Sequence, residues 1–182
     1  MTAADVRHVA DWRRWYPAAF KIRNLDGQIV PFEPSPAQVD LFETVEKLQN
    51  FDSAEQVRLM YLKARRVRMS TAIAALLSKI VYFVPGQTCI VVAHNLQAAA
   101  DIFAYYRTFH ETYDPVAGRL KILRIERMTG GDSPSLELEG GGWIRVHSAT
   151  SSIVPRGMSV RFLHMSETAF WPNPGKLLAG LL

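Results

Sequence analysis

A chain of 182 residues, 48% hydrophobic and 21% charged, has an ordinary globular composition with enough apolar material for one sizeable core. The net charge of +4 fits an anionic partner, but many proteins without one are as basic, so charge alone tilts the reading only modestly toward nucleic acid. The single cysteine, Cys89, excludes a disulfide framework and a cysteine-based zinc site. The N-terminus carries Asp5, Arg7, Asp11, Arg13 and Arg14 and has no apolar core of signal-peptide length. Lys79 and Pro85 interrupt the most apolar region, so no stretch is long enough to span a bilayer, and a cytosolic protein is expected.

Residues 1–30 read as an irregular or partly helical lead-in whose Trp12, Trp15, Tyr16 and Phe20 dock on something, and residues 31–182 as one domain. Asp26-Gly27 is a turn signal. Ser35 can cap a helix with Pro36 in its first position, and Val39, Phe42, Val45 and Leu48 share a face to about Gln49. Residues 57–62 form a short strand candidate, followed by a basic loop and a strongly apolar helix over about 70–83, which Pro85-Gly86 breaks. Residues 88–93 are a continuous apolar run of the kind buried on both faces of a parallel sheet. Asn95 can cap an amphipathic helix reaching about Tyr113, and Asp114-Pro115 ends it. This alternation of strand and helix predicts an α/β fold with a mainly parallel sheet between helices. A further strand is expected within 119–127. Leu136 and Leu138, then Ile144 and Val146, alternate with polar residues around Gly140-Gly141-Gly142, a hairpin with a glycine turn rather than a phosphate loop. Residues 160–165 read as one more buried strand, ending on Ser166-Glu167. The apolar segment 176–182 is a poor natural terminus, so the sequence reads as cut short.

Two places carry chemistry. A loop between a buried strand and a helix N-terminus can hold phosphate, because backbone N–H groups converge there and the helix dipole favours negative charge. The segment Lys63-Ala64-Arg65-Arg66-Val67-Arg68-Met69-Ser70-Thr71 sits at such a junction but departs from G-x-x-x-x-G-K-[ST]. Lys63 stands at the first glycine, Arg68 at the second, Met69 at the lysine, and Ser70-Thr71 keeps the hydroxyl. By pattern alone a basic surface loop before a core helix fits as well as a nucleotide site. The second place is Ser166-Glu167. A strand end carrying an acceptor for Mg²⁺ and a carboxylate for the attacking water would suit nucleotide hydrolysis, yet strands ending in Ser-Glu are common.

The order of these segments, and the run Arg161-Phe-Leu-His-Met-Ser-Glu-Thr-Ala-Phe-Trp171, resemble phage terminase large subunits, including a branch that writes Ser-Glu for Asp-Glu and moves the phosphate-loop lysine to the start of the loop. Residues 32–38, 90–95, 147–149 and 156–157 resemble further segments of that family, so the likeness covers roughly residues 30–175. It implies a RecA-like P-loop ATPase domain of the additional-strand type, binding ATP and Mg²⁺. By that resemblance Gln38 would contact adenine, Lys63 the β- and γ-phosphates, and Arg65 the γ-phosphate. Residues 63–71 would cradle the nucleotide, Ser70 and Ser166 would hold the metal, and Glu167 would be the catalytic base. Arg68 replaces a family glycine, where its side chain could clash with the phosphates or add a contact to them.

The implied setting is the cytoplasm of an infected or lysogenic bacterial host. There the full-length protein, as a homo-oligomeric ring with a small subunit and a portal, would drive double-stranded DNA into a capsid. The segment coupling hydrolysis to DNA movement would lie beyond Leu182, and no cluster of acids in the sequence suggests a two-metal nuclease centre. The alternative is a non-hydrolysing prophage-type remnant that keeps the fold and binds nucleotide or DNA weakly. A superfamily-2 helicase fragment fits less well, lacking the Asp-Glu-x-His/Asp form. His94, His147 and His164 read as structural histidines, Cys89 as an inert core residue, and Trp143, Phe170 and Trp171 as packing groups.

Overall fold

The computed structural model describes residues 11–48, 58–62, 67–118, 121–131, 133–150, 160–175 and 179. Helix α1 (Trp12–Ala19) leads into a small hairpin of β1 (Lys21–Arg23) and β2 (Ile29–Pro31). Helices α2 (Pro36–Leu48) and α3 (Met69–Val81) follow, then strand β3 (Thr88–Ala93), helix α4 (Leu96–Glu111) and the one-turn α5 (Pro115–Gly118). Four strands complete the order: β4 (Ile125–Thr129), β5 (Ser135–Leu138), β6 (Gly142–Ser148) and β7 (Phe162–Met165), with a 3₁₀ turn at Thr168–Phe170.

The sheet has five strands in the order β4-β5-β6-β3-β7. β3 pairs in parallel with β6 on one side and β7 on the other, whereas β4–β5 and β5–β6 are antiparallel. The fold is therefore α/β with a mixed sheet, which corrects the expectation of a mainly parallel one. The hairpin at Gly140-Gly141, both at positive φ, turns the chain straight back and adds an antiparallel wing.

β3 is central and buried nearly throughout, as its unbroken apolar run requires. Cys89, Val91 and Ala93 belong to the main core with Ala72, Ala75 and Leu77 of α3 and Ile102, Phe103 and Tyr106 of α4. Ile90 and Val92, on the opposite face, meet Ala149, Trp171, Trp143, Val160 and Leu163, a cluster with no helical member among the described residues. Burial pushes the Cys89 thiol up to about 12, the behaviour of an inert core cysteine.

The lead-in is part of this core. Trp15 is fully buried, donates its indole N–H to Gly118 O at 3.0 Å, and meets Phe20 and Phe83 edge-on. Phe20 stacks on Phe109 of α4 with ring centroids 4.7 Å apart. Lys79 lies over Trp15 and Tyr16 at 5.7 and 5.8 Å, and burial lowers its ammonium to about 8.

Several boundaries moved. The expected strand before the basic loop does not form over residues 58–62, where Met60 and Leu62 are almost fully exposed. Within 121–124 there is no strand, and β4 begins at Ile125. Phe170, read as a packing group, is 70% exposed. No helix among the described residues is long and apolar enough to cross a membrane.

Candidate functional site at the carboxyl ends of β3 and β7

In an open α/β sheet the crevice outside the carboxyl ends of parallel strands is the usual ligand position. Three segments converge there: the first turn of α3, the residues after β3, and the residues after β7. Register explains the last two. Val92 is paired with Met165, so two positions further on His94 and Glu167 face one another across neighbouring strand ends. The ladder continues past the strand proper, with Ser166 N–H donating to Val92 O at 2.8 Å and Ala149 N–H to Ala93 O at 2.7 Å.

Ser70, near the start of α3, brings its Oγ to 3.3 Å from the Oγ of Ser166 across 96 residues of sequence. Ser166 is buried, and its carbonyl accepts the buried indole N–H of Trp171 at 3.1 Å, which fixes the strand end. Thr71, beside Ser70, is buried as well.

Arg68 precedes α3 in the left-handed region, at φ 52° and ψ 36°. That conformation suits glycine and costs an L-residue about 1–2 kcal/mol. Its carbonyl nevertheless starts the helix, accepting from Thr71 N–H at 3.1 Å. An arginine thus occupies a backbone shape that the resemblance associates with glycine. Arg68→Gly should therefore raise the unfolding free energy by up to about 1 kcal/mol, less the extra freedom glycine has in the unfolded chain. Chemical denaturation of the two proteins checks this, and a loss of stability would mean that the guanidinium makes a contact worth more than the strain.

Gln38 is buried at the third position of α2. Its Oε1 accepts from Ser35 N–H at 2.9 Å, one half of a capping box. Its Nε2 donates to Arg68 O at 2.8 Å and reaches Val67 O at 3.5 Å. Gln38 therefore ties the loop before α3 to the start of α2. The sequence signal for this tie is Ser-x-x-Gln at a helix start.

His94, read from sequence as structural, lies beside Glu167 in this crevice. Its Nδ1 lies 2.9 Å from Glu167 Oε2, off the N–H axis, and has no in-line hydrogen-bond partner among the described residues. Its Nε2 is 2.8 Å from Asn95 Nδ2, and the ring of Phe170 lies 6.1 Å away. Glu167 is the second non-glycine residue at positive φ (56°) among the described residues. Backbone strain at two facing loops of one crevice is the distribution expected of a working site.

Of the sequence-derived site residues, Gln38, Val67, Arg68, Met69, Ser70, Thr71, Ser166 and Glu167 fall in described segments, with Met69 buried in the main core rather than facing the crevice. Lys63, Ala64, Arg65 and Arg66 lie outside the described residues. The other two histidines read as structural are both buried, and His147 Nδ1 is 3.3 Å from Ser133 Oγ. No cluster of three or more His, Cys, Asp or Glu able to hold a metal occurs among the described residues.

Compared with known proteins, the chain matches no protein-family model and no curated protein sequence.

Proposed function

We propose that this chain is a RecA-like P-loop ATPase module of the kind found in phage terminase large subunits, in which ATP hydrolysis drives double-stranded DNA into a capsid. The observation that carries the reading is the meeting of Ser70 and Ser166. Two segments chosen from sequence as a helix-start hydroxyl and a strand-end acceptor, 96 residues apart, have their side-chain oxygens 3.3 Å apart. Hydrolysis needs that juxtaposition, since one metal ion must touch both the nucleotide loop and the strand that carries the base. Partners at the level of a packaging motor, namely a small subunit, a portal and further copies in a ring, follow from the same resemblance.

The residues fit a metal that arrives with its nucleotide. Mg²⁺ keeps several waters and takes few protein ligands beside phosphate oxygens, and two neutral hydroxyls suit such a role better than a permanent metal centre. When bound, the ion would neutralise phosphate charge. The chain's own residues do the rest. By the resemblance Lys63 and Arg65 would bring positive charge to the β- and γ-phosphates, and the N-terminal end of α3 favours negative charge. Gln38 connects the adenine-side segment to the loop carbonyls of Val67 and Arg68. Glu167 orients water and takes its proton.

One observation favours the second reading, a remnant that binds nucleotide weakly or not at all. Residues 58–62, which precede the basic loop in sequence, form no strand, whereas a phosphate loop ordinarily follows one. Titration calorimetry with Mg-ATP separates the two readings. Saturable binding that disappears in Lys63→Ala supports the ATPase. No heat at millimolar nucleotide from a folded sample supports the remnant.

A further inference from the structure

The cap of α4 fixes which nitrogen of His94 carries the proton, and the consequence reaches Glu167. Asn95 is the N-cap residue, and its Oδ1 accepts the Ala98 N–H at 2.8 Å. This bond settles the orientation of the side-chain amide, because the reverse orientation would set two donors against each other. Nδ2 must then be the atom 2.8 Å from His94 Nε2, and an amide nitrogen can only donate. Nε2 therefore accepts, and the ring proton resides on Nδ1, the atom 2.9 Å from Glu167 Oε2. The opposite tautomer would place N–H against N–H₂ at Asn95 and a ring lone pair against a carboxylate at Glu167.

From this chain of contacts we infer that Asn95 and His94 are positioning residues for Glu167: the helix cap orients an imidazole whose Nδ1–H holds the carboxylate at the carboxyl end of β7. The inference rests on the proposed role of Glu167 as the base. Among the described residues Nδ1 is buried without an in-line acceptor, and the anion it faces is the Glu167 carboxylate. Glu167 would be held in this way in the absence of nucleotide, with its backbone at φ 56°. A bound water competing for the same carboxylate oxygen would change the contact, so the imidazole stands where it affects the chemical step rather than nucleotide affinity.

The test has two arms. Nitrogen-15 NMR of the nucleotide-free protein reads the tautomer of His94 directly, with assignment by His94→Gln. The Nδ1–H form is expected in the wild type. Asn95→Asp keeps an acceptor for Ala98 but turns the group facing Nε2 from donor to acceptor, so Nε2 should gain a proton. A wild-type ring in the Nε2–H form, or a spectrum unchanged in Asn95→Asp, overturns the proposal whatever the protein does to ATP. In the second arm, His94→Ala should lower kcat for ATP about tenfold with KM unchanged, and His94→Gln, which retains a donor, should restore part of it. Unchanged kcat in an active protein overturns the positioning role. Absence of turnover in the wild type, with the tautomer as assigned, counts instead against the ATPase reading.

Discussion

Glu167→Gln should abolish ATP turnover, by at least about 10²-fold, while Mg-ATP binding survives; a general base contributes about 10²–10⁴. The two carboxyl-derived groups are isosteric, so the variant keeps an oxygen able to face His94 Nδ1 and loses only the capacity to take a proton. The scaffold around the position should tolerate the change. The preceding residue is held by Ser166 N–H to Val92 O at 2.8 Å and by Trp171 Nε1 to Ser166 O at 3.1 Å, and neither contact involves the Glu167 side chain. Phosphate release and calorimetry on the same samples give both quantities. Turnover equal to wild type would remove Glu167 from the mechanism, and loss of binding together with turnover would mean that the side chain holds the nucleotide instead.

What could be read beforehand follows from how far each signal is local. β3 was placed at residues 88–93, where it is observed, because a six-residue apolar run between a Pro-Gly break and an Asn cap leaves one arrangement. The hairpin around Gly140-Gly141 was legible for the same reason, its alternation being set by two adjacent strands. The β1–β2 hairpin was missed, since three residues per strand give no measurable period. The segment 58–62 was misread because its apolar residues matched a strand in composition, whereas a strand also needs a neighbour to pair with.

The site divided in the same way. Ser70, Ser166 and Glu167 were named from motif position, and two of them are in contact. The proximity of His94 to Glu167 depends on a tertiary register. Only when Val92 is known to pair with Met165 does the residue after β3 fall opposite the residue after Ser166. Arg68 is the converse. Its departure from glycine was visible in sequence, but that it takes the glycine-like backbone conformation could be learned only from φ.

The stability of the strand that carries this site should fall in acid, and one histidine should account for most of the change. His164 lies in β7 opposite Val91, is buried, and has no hydrogen-bond partner for Nδ1 among the described residues. Burial lowers its imidazole from 6.5 to about 4. As pH falls below about 6.5 the unfolded chain takes up this proton while the folded chain resists until about 4. Protons therefore favour unfolding across that window, and the contribution of His164 to stability is complete above it and lost on descending through it. A displacement of this size corresponds to about 3 kcal/mol, a large part of the 5–15 kcal/mol typical of a domain. His147, lowered by burial and then by Arg145, acts in the same direction. His164→Leu separates the two, because it removes one titration and an unsatisfied buried nitrogen while leaving His147 in place. Urea unfolding at intervals from neutral pH to about pH 4 should give a visibly flatter profile for the variant, with the curves closest near neutrality. Parallel profiles would mean that water or a proton partner reaches His164 in β7, and with it the strand two residues before Ser166.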